Sequence, residues 1–268
     1  FKRLDMSIIE AIETRRSVRS YDGTGITDAE KRAIESAISD IYNPFGGSFT
    51  IKLKSFGNKE TYKPSTYGII RGAQDFFLVG YADDKLSELA TGFCFEKIVL
   101  KSWQMGLGTC WIAATFKGSD FEKGEDLLNG HRLKIISPVG VPAKKSLIEK
   151  ISRFAVGSDK RKPFDKMFFY KNFNTPIPEN NKYRMALEML RMAPSSTNSQ
   201  PWRVLVDNNT VHFYNSEKGS LSILDTGIGI CHFYETEKYN GREGKFVTLP
   251  NTPVVHERWK YLVTYIGK

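Results

Sequence analysis

Ala193-Pro194-Ser195-Ser196-Thr197-Asn198-Ser199-Gln200-Pro201-Trp202 is the stretch on which the reading of this chain turns. Small hydroxyl and amide side chains crowd between two prolines, so the backbone is stiff while donors and acceptors stay close together, an arrangement suited to a flat polar ligand. On these residues alone, a plain Ser/Asn/Pro loop is the alternative. The turn is framed by a helical composition over 180–192 and a strand-like Trp202 to Val206.

The chain around it has 268 residues, 40% apolar, 26% charged and 13% aromatic, which fits a globular protein with a sizeable core and excludes a fibrous or disordered one. The longest unbroken apolar stretches, such as Phe76 to Val79, fall far short of the roughly 20 residues a bilayer span needs. No apolar run follows a basic start as in a secretory signal, so a cytoplasmic protein with no membrane role is expected. Because the chain opens at Phe1 with Met6 ahead of the first helix, residues upstream remain open. Cys94, Cys110 and Cys231 are odd in number and form no CxxC, so reduced thiols are expected. His131, His212, His232 and His256 offer neither an i, i+4 pair nor HExxH, and no metal site is expected. The net charge of +9 favours a phosphorylated or polyanionic partner. Lys and Arg are dense only over 159–166 and no nucleic-acid motif occurs, which favours a small phosphorylated ligand over nucleic acid.

Two helices open the chain, one with Ile8, Ile9 and Ile12, the next with a Thr27/Glu30 capping box and Ile34, Ala37, Ile38 and Ile41 on one face. Phe49 to Lys54 alternates as a strand, Phe76 to Tyr81 reads as a buried strand, and Ala90 to Met105 as an apolar helix ending at Gly106. Shorter strands are expected at Cys110 to Ala113 and Lys134 to Val141. The stretch from Asp159 to Pro178 reads as a boundary or long connection. Beyond it come a helix to Met192, strands at Trp202 to Val206 and Val211 to Tyr214, an apolar helix at Asp225 to Tyr234 and a terminal strand at Trp259 to Ile266. The class is α+β. The second half mimics the first: Leu89-Ala90-Thr91-Gly92-Phe93 matches Leu224-Asp225-Thr226-Gly227-Ile228 at 227 − 92 = 135, and Gly106 matches Gly241 at the same offset. Two similar helix ends would give the same coincidence.

Three further motifs join the turn: Arg15-Arg16-Ser17-Val18-Arg19-Ser20-Tyr21, Gly106-Leu107-Gly108-Thr109-Cys110-Trp111-Ile112, and Pro138-Val139-Gly140-Val141-Pro142 followed by Arg161-Lys162-Pro163-Phe164. Together with APSSTNSQPW they resemble the nitroreductase superfamily of FMN-dependent oxidoreductases, over about residues 6 to 202. The resemblance implies that Arg15, Arg16, Ser17, Arg19 and Arg161 hold the FMN phosphate, as paired guanidinium bonds to phosphate oxygens would favour. It implies that the main chain of Trp111, Ile112, Ala113 and Ala114 approaches the flavin ring, and that Pro194, Ser195, Ser196 and Asn198 close over it. For a single arginine, a solvated surface charge is the alternative, and it is preferred for Arg16 if only one of Arg15 and Arg16 points inward. Cys110 reads as a packing residue rather than a nucleophile.

The order of the motifs departs from the family. Where the first half should carry the Ser/Asn turn it has Ile41-Tyr42-Asn43-Pro44-Phe45-Gly46-Gly47, and the intact turn arrives only after Arg161-Lys162-Pro163; the second half has Gly241-Arg242-Glu243-Gly244-Lys245-Phe246 in place of GLGTCW. These complementary losses suggest a nitroreductase-like fold of two degenerate half-domains, 1–172 and 173–268, with mixed sheets and central helices, forming an intrachain pseudo-dimer around one FMN. With the dimer internal, a monomer is the expectation. The implied activity is ping-pong transfer from NADH or NADPH through flavin N5 to a small-molecule acceptor such as a nitroaromatic or quinone, with no side-chain acid or base assigned as catalytic. A flavin-binding protein active in flavin breakdown or reductive dehalogenation is the alternative, and a basic nucleic-acid-binding protein the least favoured reading. Tyr42, Phe45, Tyr67 and Trp202 are candidates for a substrate pocket, with core packing favoured for Trp202. Phe116 to Arg132 reads as a lid or a surface helix.

Overall fold

The computed structural model describes residues 6–57, 64–123, 126, 128–144 and 160–268. The chain divides into two compact units, one made of Phe1–Tyr42, Gly47–Ser87 and Phe95–Leu147, the other of Asn43–Gly46, Glu88–Cys94 and Ile148–Lys268.

In the first unit, α1 (Ile8–Thr14) and α2 (Asp28–Ser39) both begin with a complete capping box, Ser7 with Glu10 and Thr27 with Glu30. Each box satisfies two of the orphan amides at a helix start, which is why the first helical turn forms where the sequence expects it. The sheet runs β1 (Phe49–Ser55), β2 (Asp75–Tyr81), β4 (Leu133–Gly140), β3 (Gly108–Thr109), antiparallel throughout. All seven residues of β2 are buried, as an unbroken apolar run in a central strand should be. The strand expected at Cys110 to Ala113 does not form: the strand here is β3, which stops at Thr109, and beyond it only an isolated bridge pairs Ile112 with Ile136. Among the described residues of 116–132 a short helix, α4 (Gly118–Glu122), sets Phe121 fully buried among Phe56, Phe76 and Phe116, so this part of the segment is core rather than lid.

Helix α3 (Lys85–Gln104) is apolar nearly all round, the pattern of a helix buried on every side. It contributes Glu88–Cys94 to the second unit and the residues from Phe95 to the first. The second unit holds a six-stranded sheet in the order β6 (Asn172–Pro176), β5 (Phe168–Tyr170), β7 (Trp202–Asp207), β8 (Thr210–Asn215), β10 (Lys260–Gly267), β9 (Gly244–Val247). Its pairs are antiparallel except β5 with β7. The stretch read as a connection from Asp159 is therefore largely sheet from Phe168 onward, while Asp159 itself lies outside the described residues. Met167 and Phe168 are fully buried and drive this pairing, and Pro176 ends the edge strand, where a missing N–H costs no ladder bond. Helices α5 (Arg184–Arg191) and α6 (Ser222–Tyr239) complete the unit.

The core of the second unit is aromatic. Phe93, Phe213, Phe233, Phe246 and Tyr265 pack at centroid distances of 5.3 to 6.4 Å. Phe45 joins them edge-on at 5.2 Å from Phe93 and 5.0 Å from Phe246, so this pocket candidate is packing instead. Trp202 is fully buried, whereas Tyr42 and Tyr67 are exposed. The repeated glycines meet inside this unit: a Cβ on Gly92 would strike the Leu224 carbonyl oxygen, and one on Gly227 would strike that of Leu89. Two-fold related contacts of this reciprocal kind are what an internal pseudo-dimer requires. Gly106 and Gly241, again 241 − 106 = 135 apart, follow α3 and α6 with φ of +81° and +70°. Among the described residues no helix is long and apolar enough to cross a membrane, and no His/Cys/Asp/Glu group is arranged to hold a metal.

Candidate functional site

In the first unit the arginine segment and the GTCW segment lie side by side. Arg15 is the residue at which α1 ends, its amide still bonded to Ala11 O at 2.9 Å. The chain then turns extended, and Val18 N–H donates to Thr109 O at 2.8 Å, which lays 17–19 along β3. Arg15, Ser17 and Arg19 all come within reach of Cys110: burial pushes that thiol up, and Arg19, Ser17 and Arg15 pull against it. A buried thiol held in its neutral form packs and does not attack. Arg16 leaves this group and stacks its guanidinium 5.8 Å from the Trp103 ring.

Arg15 is the unusual member. Its side chain is 7% exposed, and its Nε is buried with no hydrogen-bond partner among the described residues. Its counter-charge is Glu96 on α3, whose Oε1 lies 3.7 Å away, too far for a hydrogen bond. The other oxygen, Oε2, accepts from Trp111 Nε1 at 2.9 Å, and Trp111 packs edge-on against Phe95 at 4.6 Å. Ile112 spends both its N–H and its carbonyl on Ile136 (3.0 and 2.9 Å). Main-chain donors for a ligand in this stretch are therefore those of its neighbours.

In the second unit the Ser/Asn turn and the segment 160–162 form one knot. Thr197, Asn198 and Gln200 take left-handed φ of +50°, +56° and +49°, uncommon for residues with a Cβ and sustained only by surrounding contacts. Gln200, 3% exposed, supplies many of them. Its amide N–H donates to Ser195 Oγ (2.9 Å), its Oε1 accepts from Lys162 N–H (2.8 Å), and its Nε2 donates to Asn198 O (3.1 Å). Arg161 donates through Nη2 to Met192 O (3.0 Å) and through Nη1 to Asn198 Oδ1 (3.3 Å), while Asn198 Nδ2 donates to Lys160 O (2.8 Å). Ser196 N–H donates to Asp225 Oδ2 at 2.9 Å, from a carboxyl only 4% exposed on α6. Burial pushes Asp225 up to about 7, against the Ser196 bond that pulls it down. Pro194 and Ser195 are half-buried, and Ser196 is exposed.

Glu96, Asp225 and Gln200 were not among the residues expected from the sequence. The first two carried a readable signal, each a carboxylate among mostly apolar and small residues within a helix, a placement that costs free energy unless a partner waits.

A family model described as "Putative TM nitroreductase" matches residues 7–236. Among solved structures, a nitroreductase from Thermotoga maritima is similar at a TM-score of 0.63 and 21% identity, covering 97% of this chain and 94% of its own. A nitroreductase with bound FMN from Bacteroides fragilis is similar at a TM-score of 0.41 and 18% identity, covering 53% of this chain and 92% of its own. No curated protein matches the chain.

Proposed function

The chain belongs to the nitroreductase family whose model spans residues 7–236, and from that premise we propose that it is an FMN-dependent oxidoreductase that passes electrons from NADH or NADPH to a nitroaromatic, quinone or similar small acceptor. The observation that carries the reading is Arg15, a buried guanidinium with an idle donor, next to Ser17 and Arg19. A buried cation short of hydrogen bonds is costly even beside Glu96, and a phosphate dianion supplies the acceptors it lacks. Ser17 adds a hydroxyl donor and Arg19 a second guanidinium, so the residues suit a phosphate better than a plain carboxylate.

In this reading Arg15, Ser17 and Arg19, with Arg161, hold the FMN phosphate, and Arg16 stays with Trp103. The main chain from Trp111 to Ala114 borders the ring, and Pro194, Ser195, Ser196 and Asn198 exclude water from it. Bound FMN would supply two-electron hydride chemistry, which suits a ping-pong exchange between NADH or NADPH and the acceptor. No side chain is required as acid or base, and Cys110, neutral and buried, takes no part.

Titration with FMN followed by flavin fluorescence is expected to saturate at about one FMN per chain, as half-domains with complementary losses require. The bound flavin should bleach with NADH or NADPH under anaerobic conditions and recover its colour on addition of a nitroaromatic or quinone. A chain that binds two FMN refutes the single site. One that binds flavin but resists both nicotinamides refutes the oxidoreductase reading and leaves a flavin-binding role.

A further inference from the structure

Glu96 sits in the middle of the long apolar helix α3 with a side chain that is 0% exposed. A carboxylate is retained at such a position at a cost of several kcal/mol unless it is engaged. Its two oxygens serve two segments far apart in sequence. Oε2 fixes the Trp111 indole by a 2.9 Å hydrogen bond, and Oε1 faces Arg15 Nε at 3.7 Å. The second contact attracts the guanidinium without consuming a donor, because the distance is an ion pair's and not a hydrogen bond's. Among the buried atoms lacking a hydrogen-bond partner is Arg15 Nε, in a side chain only 7% exposed, so Glu96 holds the charge in place and leaves that donor unused.

The internal repeat sharpens the point. The position equivalent to Glu96 in the second half is Cys231 (231 − 96 = 135), and the position equivalent to Asp225 in the first half is Ala90 (225 − 90 = 135). At these two offset positions each half has an acid where it has kept the motif that the acid touches, Glu96 with Arg15 and Trp111 and Asp225 with Ser196, and an uncharged residue where it has not.

We propose that Glu96 is a positioning residue that holds Arg15 and Trp111 in place together and thereby sets the preference of the protein for FMN over riboflavin. The proposal rests on the FMN reading above. Through Arg15, Glu96 acts on the phosphate; riboflavin has the same ring and no phosphate, so the pair of ligands separates this role from general support of the fold.

The experiment measures dissociation constants for FMN and riboflavin by flavin fluorescence on the wild-type chain, Glu96→Gln, Glu96→Asp and Arg15→Gln. Glutamine keeps an acceptor for Trp111 Nε1 and removes the charge facing Arg15. It is expected to weaken FMN about tenfold and riboflavin less than about twofold, a change of ~1.4 kcal/mol confined to the phosphate. Aspartate keeps the charge but draws it back by one methylene, and it should fall between. Combining Glu96→Gln with Arg15→Gln should add nothing to the loss of preference seen with Arg15→Gln alone, because both act on one contact. Equal weakening of both ligands, or an unchanged preference in both Glu96 variants, overturns the positioning role. If the wild-type chain binds both flavins equally, Arg15 meets no phosphate and the FMN reading itself fails, which is a separate outcome.

Discussion

Gly227→Ala is expected to lower the unfolding free energy by about 3 kcal/mol, read from urea or thermal unfolding, while Gly219→Ala leaves it unchanged within about 0.5 kcal/mol. Gly219 is exposed with nothing within 4 Å of a Cβ built there. At Gly227 the added carbon would strike the Leu89 carbonyl oxygen, with Phe93 N at 3.0 Å and Gly92 Cα at 3.2 Å. These are backbone atoms of α3, which cannot rotate aside as a side-chain tip can, so the two helices must part. Gly92→Ala should cost about as much, since its Cβ would strike the Leu224 carbonyl oxygen with Ile228 N at 3.1 Å. The double variant is expected to cost less than the two single losses together, because helices already forced apart by one methyl have room for the second. Full additivity would show that the two contacts are independent and would remove the helix crossing as the seat of the pseudo-symmetry.

That crossing was half legible. The offset of 135 residues was visible in the glycines and leucines, and the buried hydroxyls of Ser87 and Ser222, one offset apart, would have lengthened the match to S-x-L-x-T-G in both halves. What the offset did not tell was that the repeated segments touch, since periodicity reports faces and not partners. Local signals did best where the structure is local. The Thr27/Glu30 box and the apolar run of β2 appear as read because caps and central strands are decided by neighbours in sequence. Strands β5 and β6 were missed for the converse reason. They are short, β6 carries Asn and Pro, and β5 forms because β7 offers an edge more than thirty residues downstream. The site divides in the same way. The motif residues could be named from the string, whereas the commitment of Arg161 and Asn198 to each other, and of Ile112 to Ile136, is a matter of tertiary hydrogen bonding.

Asp225→Asn is expected to make the chain more stable at pH 8 and to leave it nearly unchanged at pH 4. The ordinary value for the carboxyl is 3.8, and burial raises it to about 7 in the folded chain. Between those values the folded state holds a proton that the unfolded state has lost, so the unfolding free energy falls as pH rises through this window and is flat above it. The shift corresponds to a penalty on the order of 4 kcal/mol when fully expressed, and relaxation around the charge reduces what is measured. Asparagine cannot ionise yet still offers an oxygen to Ser196 N–H, so the hydrogen bond at 2.9 Å survives while the penalty does not. Denaturant unfolding at pH 4 and pH 8 tests this: a gain of about 2 kcal/mol confined to the higher pH is the expected result, and equal stability of the two chains at both pH values refutes the buried ionisation. The same variant asks why the acid is there. A position that costs stability at neutral pH is retained for what it does in the folded protein, and Asp225 holds the amide of a turn whose backbone is strained at Thr197 and Asn198. If the ionised form is the one that fixes the turn, Asp225→Asn gains stability and loses FMN affinity, most at pH 8 and least at pH 5, where the wild-type carboxyl is itself neutral.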